Sequence, residues 1–125
     1  MTVQPDYENP WPVEIQLLTE SKVLKIQFDD GQTFSLPFEY LRVYTPSAEA
    51  MGHGPGQEVL QTGKEKVQIT AIEPVGRYAI KPIFSDGHNT GIYRFGYLYQ
   101  LGAEYAVLWP MYLAKLAEAG IQRAE

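Results

Sequence analysis

The stretch VEIQLLTESKVLKIQFDDGQTFSLP, residues 13 to 37, decides the fold. Val13, Ile15 and Leu17 alternate with Glu14 and Gln16, which is the period of a half-buried strand. After the turn formers TESK, Leu24, Ile26 and Phe28 alternate with Lys25 and Gln27, and Phe34 and Leu36 carry a third run. Between the second and third runs lies DDGQ, in which Asp-Gly supplies the positive φ of a tight two-residue hairpin turn. The pattern predicts three antiparallel strands in a meander, with Val13, Ile15 and Leu17 on the inward face.

Working outward, residues 1–12 are polar and carry three prolines, the composition of an arm. Pro37 breaks the third strand, and FEYLRVY then predicts a short helix with Phe38, Leu41 and Tyr44 inward. Thr45 before Pro46 fits an N-cap, with one helical turn running to Met51. Gly52, Gly54 and Gly56 forbid regular structure beyond it. Strands are predicted over Val67–Ile72 and Tyr78–Phe84, joined by a turn at EPVG, with Pro82 at an edge or bulge. SDGHNTG reads as a loop. In the segment after it, Ile92, Phe95, Leu98 and Tyr99 fit a helix, whereas Tyr93, Phe95, Tyr97 and Tyr99 alternate as a strand does. Tyr105, Trp109, Tyr112, Leu113 and Leu116 form the stripe of a final helix. Pro110 must then lie in its first turn or mark a kink, and Gly120 is its C-cap. Strands first and helices last predict an α+β fold: one antiparallel sheet of about five to six strands with the C-terminal helices packed on it, a two-layer sandwich. A single domain is expected over residues 13–120, with a tail at 121–125.

The 125 residues, 45% hydrophobic and 20% charged, suffice for one domain with a core. A net charge of −5 argues against a nucleic-acid binder. Lys64, Lys66, Arg77 and Lys81 lie close in sequence, but Glu65 and Glu73 fall among them, as on a solvated sheet face. Without cysteine the chain has no disulfide, thiolate zinc site or thiol nucleophile. No signal-peptide pattern opens it and no apolar run suggests a membrane span, so a soluble cytoplasmic protein is expected.

Catalytic motifs fail on inspection. GHGPGQ has Gln57 where a dinucleotide loop needs its third glycine, and TGKE has Glu65 where a phosphate loop needs Ser or Thr. Ser47, His53, His88 and Asp86 include the residue types of a hydrolase, but no nucleophile elbow surrounds them. Metal ligation has better material. Glu49 and His53 are four apart, and His88 follows Asp86-Gly87; two imidazoles and one or two carboxylates suit iron, zinc or manganese. Against this, His53 lies between glycines as exposed loop histidines do, and Asp86 suits a turn in which it accepts backbone N–H bonds.

The succession FDDG, LPFEYLR, PSAE, GHG, IEPVG and DGHNTGIY resembles the gamma-butyrobetaine hydroxylase-like N-terminal domain family, over about residues 13–102. The resemblance implies a small α+β module that occurs alone in bacteria, fused to Mrp/ApbC-type iron–sulfur carrier ATPases, or in front of 2-oxoglutarate oxygenases. In the oxygenase branch three cysteines after a Leu-Arg pair and a histidine in an Asp-Gly-His loop hold a structural zinc. Here Leu41-Arg42 and His88 match. The cysteine positions fall near Thr45, Ser47 and Ala50, so neither a cysteine-ligated zinc nor hydroxylase activity carries over.

If the fold is shared, His88 faces the Thr45–Ala50 loop. Its ring would then replace the metal by a hydrogen bond to Glu49 or to the hydroxyl of Thr45 or Ser47. The alternative is that Glu49, His53 and His88 converge on an iron or zinc ion. The functional expectation is a non-enzymatic accessory module for a protein partner in iron–sulfur cluster assembly, by analogy an Mrp/ApbC-type ATPase. A metal-binding domain is the alternative.

Overall fold

Leu24, Ile26, Phe28 and Leu36 are all but inaccessible, and the strands that carry them are those the alternation predicts. In the computed structural model, which describes residues 10–47 and 60–123, β1 (Pro12–Leu18), β2 (Val23–Phe28) and β3 (Thr33–Pro37) form an antiparallel sheet in the order β1-β2-β3. Two details differ from the expected meander. The register slips between Pro12 and Glu14, so Val13 is the extra residue of a bulge and turns outward, 60% exposed, instead of joining Ile15 and Leu17. The hairpin loop is also one residue longer than Asp-Gly alone suggests. Gly31 N–H donates to the Phe28 carbonyl and Phe28 N–H to the Gln32 carbonyl, while Gly31 takes φ +90°. That is a turn followed by a left-handed glycine, the usual three-residue hairpin.

Phe38–Val43 forms helix α1, whose first N–H donates to the Lys22 carbonyl. Its residues Phe38 to Arg42 are all buried. Further on, β4 (Ile69–Val75), β5 (Ala79–Phe84) and the two-residue β6 (Tyr93–Arg94) make a second antiparallel sheet, ordered β4-β5-β6. The single sheet of five to six strands is therefore two sheets of three. Proline and turn chemistry account for the split. β3 ends at Pro37 and runs directly into α1, and β4 and β5 carry Pro74 and Pro82, neither of which can donate to a ladder. β6 pairs only with Ala79 and Ile80 and leaves Pro82 beyond its reach. β4 also continues through Glu73 and Pro74, so the turn expected at EPVG begins only at Val75.

The segment with two periodicities resolves into both. Tyr93 and Arg94 are strand, and helix α2 (Phe95–Ala103) follows with Gly96, Leu98 and Leu101 buried. Helix α3 (Tyr105–Glu118) buries Tyr112 and Leu116. Pro110 lies beyond its first turn, inside the helix. α3 closes in a Schellman motif: Ile121 N–H donates to the Leu116 carbonyl and Gly120 N–H to the Ala117 carbonyl. Both sheets, α1 and α2 feed one apolar core, in which Phe28, Leu41, Ile69, Tyr93 and Leu98 meet, with Tyr105 and Trp109 of α3 packed against it. No helix among the described residues is long and apolar enough to cross a membrane.

Candidate functional site

The loop Ser85–Gly91 closes on the segment after α1. Its bend copies the β2–β3 corner. Gly87 N–H donates to the Phe84 carbonyl, Phe84 N–H donates to the His88 carbonyl, and Gly87 takes φ +90°. The aspartate plays the same part in both corners: Asp30 Oδ1 accepts Gln32 N–H at 3.0 Å, and Asp86 Oδ1 accepts His88 N–H at 3.1 Å. Phe-x-Asp-Gly-x is thus one loop used twice, and Asp86 fills the turn role that its residue type suggested.

This bend aims the His88 side chain inward. The residue is 7% exposed, and its Nε2 lies 3.0 Å from Thr45 Oγ1. Thr45 Oγ1 also accepts Ser47 N–H, and Ser47 Oγ lies 2.8 Å from Thr90 Oγ1. Two side-chain pairs therefore tie the segment after α1 to the histidine loop, and Thr45 is the hydroxyl, among the candidates, that meets the imidazole. Gly91 makes the approach possible: a Cβ there would collide with Thr45 Oγ1 and come within 3.1 Å of the Tyr93 ring. Glu49, His53 and Ala50, the other parts of the proposed metal and cysteine-like positions, lie outside the described residues. No group of three or more His, Cys, Asp or Glu side chains gathers among the residues described.

A charged cluster supports the loop from outside. Asp86 Oδ2 accepts Arg42 Nε at 2.9 Å and Lys64 Nζ at 2.8 Å, and Arg42 also reaches Gln61 Oε1 at 2.9 Å. Arg42 is almost fully buried, so its guanidinium needs these acceptors. Sequence reasoning placed Lys64 on a solvated face and missed this cluster; the aligned Leu41-Arg42 pair was the available signal. Lys81, by contrast, pairs across the strands with Glu73 at 3.1 Å on an exposed surface. Burial works to raise the Asp86 carboxyl, but the bonds from Lys64, the His88 N–H and Arg42 outweigh it and hold the group at about 2. The folded value lies below the ordinary 3.8. The associated stability is therefore complete above about pH 4 and lost as pH falls toward 2. After discounting for solvent screening, a loss of roughly 1 kcal/mol is expected. Urea melts of the wild type and Asp86→Asn should differ at pH 7 and draw together as the pH is lowered to 2.

Several tyrosines pack in or against the apolar core. Their hydroxyls carry a further role. Tyr93 and Tyr97 donate to the carbonyls of Leu41 and Tyr44 at the C-terminal end of α1, at 2.5 and 2.6 Å. Tyr40 donates to Leu101 near the end of α2 at 2.6 Å. These are acceptors that a helix end leaves open. Tyr44 and Tyr112 donate to the carbonyls of Leu108 and Gln61. Burial pushes the Tyr97 and Tyr112 phenols up to about 12 and moves Tyr93 and Tyr40 further still.

A second feature lies on the opposite character of surface. Trp11 N–H donates to Asp29 Oδ1 at 3.0 Å, and Asp29 N–H donates to the Trp11 carbonyl at 2.8 Å. Trp11 is thereby fixed with 47% of its surface exposed, edge-on to Phe95 with ring centroids 5.2 Å apart. With Val13, Ile15, Phe95 and Arg77 it lines an open groove. Exposed Tyr78 adjoins it: its carbonyl accepts Phe95 N–H, and Arg94 lies over its ring.

Comparison with known proteins follows the same lines. Residues 15–99 match the family described as gamma-butyrobetaine hydroxylase-like, N-terminal. Among solved structures, one determined by NMR in solution is 46% identical over 98% of this chain and 91% of its own, with a TM-score of 0.82. A second NMR structure is 45% identical over 91% of this chain and 90% of its own, with a TM-score of 0.79. A crystal structure of a protein with unknown function of the DUF971 family, from Acidithiobacillus ferrooxidans, is 40% identical over 82% of this chain and all of its own, with a TM-score of 0.64. No curated protein sequence matches.

Proposed function

The chain belongs to the gamma-butyrobetaine hydroxylase-like N-terminal family, and from that premise we propose that it is a non-enzymatic accessory module that docks on a protein partner. The partner is an Mrp/ApbC-type carrier ATPase of iron–sulfur cluster assembly. The observation that carries the docking is the exposure of Trp11 and Val13, two apolar side chains left in water by a hydrogen-bonded strand start and a bulge. Ordered exposed apolar clusters of this kind mark interaction surfaces, and a tryptophan at their centre is a typical energetic anchor. The partner's identity rests on the fusions of this module to carrier ATPases, which is analogy. The His88–Thr45 contact serves the reading as a structural tie that keeps the second sheet's loop against α1.

Titrating the purified carrier ATPase into the protein in a calorimeter tests both parts. Saturable binding is expected, weakened about 30-fold by Trp11→Ala, the equivalent of roughly 2 kcal/mol. No binding by the carrier removes the partner. Binding that Trp11→Ala and Val13→Asp leave unchanged removes the groove.

A further inference from the structure

Glu39 is a buried acid on α1, and Arg123, from the segment after α3, covers its carboxylate. Arg123 Nε donates to Glu39 Oε2 at 2.9 Å, and its second fork nitrogen donates to Oε1. The guanidinium carbon also lies 5.4 Å over the Trp109 ring. The two partners are unequal. The carboxylate is 9% exposed on a helix buried along its length, whereas Arg123 is 35% exposed on the irregular segment after α3. The aromatic wall needs no help from Arg123: Trp109 stacks on Tyr105 at 7° and packs against Tyr40 and Tyr112. Glu65 adds a second negative charge whose field, with that of Glu39, raises the Arg123 pKa further.

We propose that the Glu39 carboxylate and the Trp109 face together form an arginine-binding site, with Arg123 as a displaceable plug, and that a partner's arginine side chain takes its place. A carboxylate fixed below an aromatic face matches a guanidinium in two ways at once, by a two-point fork and by cation–π contact; an ammonium can make no such fork. Tethered a few residues from the helix end, Arg123 competes at an effective concentration of the order of millimolar. Its removal should therefore unmask the site. The site is separate from the Trp11 groove, and the failure of either leaves the other standing.

The test follows the indole N–H signal of Trp109 by NMR in Arg123→Ala and wild type, with the Trp11 signal as internal reference. The probes are acetyl-Gly-Arg-Gly-amide, its lysine counterpart and guanidinium chloride at millimolar concentration. Saturable shifts of Trp109 are expected in Arg123→Ala with the arginine peptide. At least tenfold weaker responses are expected in the wild type and with the lysine peptide, and none in Arg123→Ala/Glu39→Gln. Guanidinium binding as tightly as the peptide would support the site and identify a free guanidine compound as its ligand. A cooperatively melting Arg123→Ala that ignores both guanidinium probes, or a wild type that responds equally, overturns the proposal. Arg123→Gln, which keeps the side-chain stem, carries the same titration should the alanine variant not fold.

Discussion

Gly102→Ala is expected to destabilise the protein by about 2–3 kcal/mol, a fall in Tm of roughly 10 °C. Helix propensity alone argues the reverse, since alanine in α2 should gain about 1 kcal/mol over glycine. Contact with the first sheet decides the sign. A Cβ at Gly102 would lie inside the contact distance of the Phe34 ring, meeting three of its carbons. Phe34 has little room to retreat, because Phe28 and Tyr99 stand edge-on to it with centroids 6.0 and 5.2 Å away. The hydroxyl of Tyr99 is itself tied to Asp30. The strain must therefore be taken up by moving α2 off β3, the packing that joins the first sheet to the helices. Urea denaturation measures the loss, and Phe34→Leu in the Gly102→Ala background should recover part of it. Stabilisation by Gly102→Ala would show that α2 does not approach β3 as closely as described.

The second large effect concerns the histidine loop. Gly91→Ala should cost about 2–3 kcal/mol, because its methyl group would displace the Thr45 hydroxyl from the space it shares with His88. Thr45→Ala alone should cost about 1–2 kcal/mol by leaving the buried imidazole without that partner. The double variant is the discriminating measurement. With the hydroxyl gone the new methyl has room, so the combined loss should fall short of the sum by at least about 1 kcal/mol. Strict additivity in denaturant melts would mean that the two segments do not meet.

The first sheet was legible because its alternating residues face one core and water on the other side, and period two is written directly into Leu24, Ile26, Phe28 and Leu36. The two sheets were not legible as two. Alternation tells which residues turn inward and carries no information about which strand lies beside which; the short reach of β6 decided that. Val13 shows a related limit. Its place in the pattern is that of a core residue, and a bulge one residue wide sends it into the groove. In the site, the contact of His88 with the post-helix segment was foreseeable through the aligned Asp-Gly-His and Leu-Arg motifs, and Thr45 was among the hydroxyls expected to receive it. The Arg42–Asp86–Lys64 cluster was not, since ion pairs spanning 44 and 22 residues leave no local periodicity. The tyrosine hydroxyl bonds share that property: Tyr40 and Leu101 are 61 residues apart.

The corner built from Phe-x-Asp-Gly-x closes through backbone groups and one aspartate oxygen, so the side chain at its fifth position takes no part in its construction. At one copy that position is Gln32, exposed at the rim; at the other it is His88, sunk against Thr45. The corner is therefore an interchangeable socket. Exchanging the group mounted in it alters what the molecule can grip there without disturbing the frame.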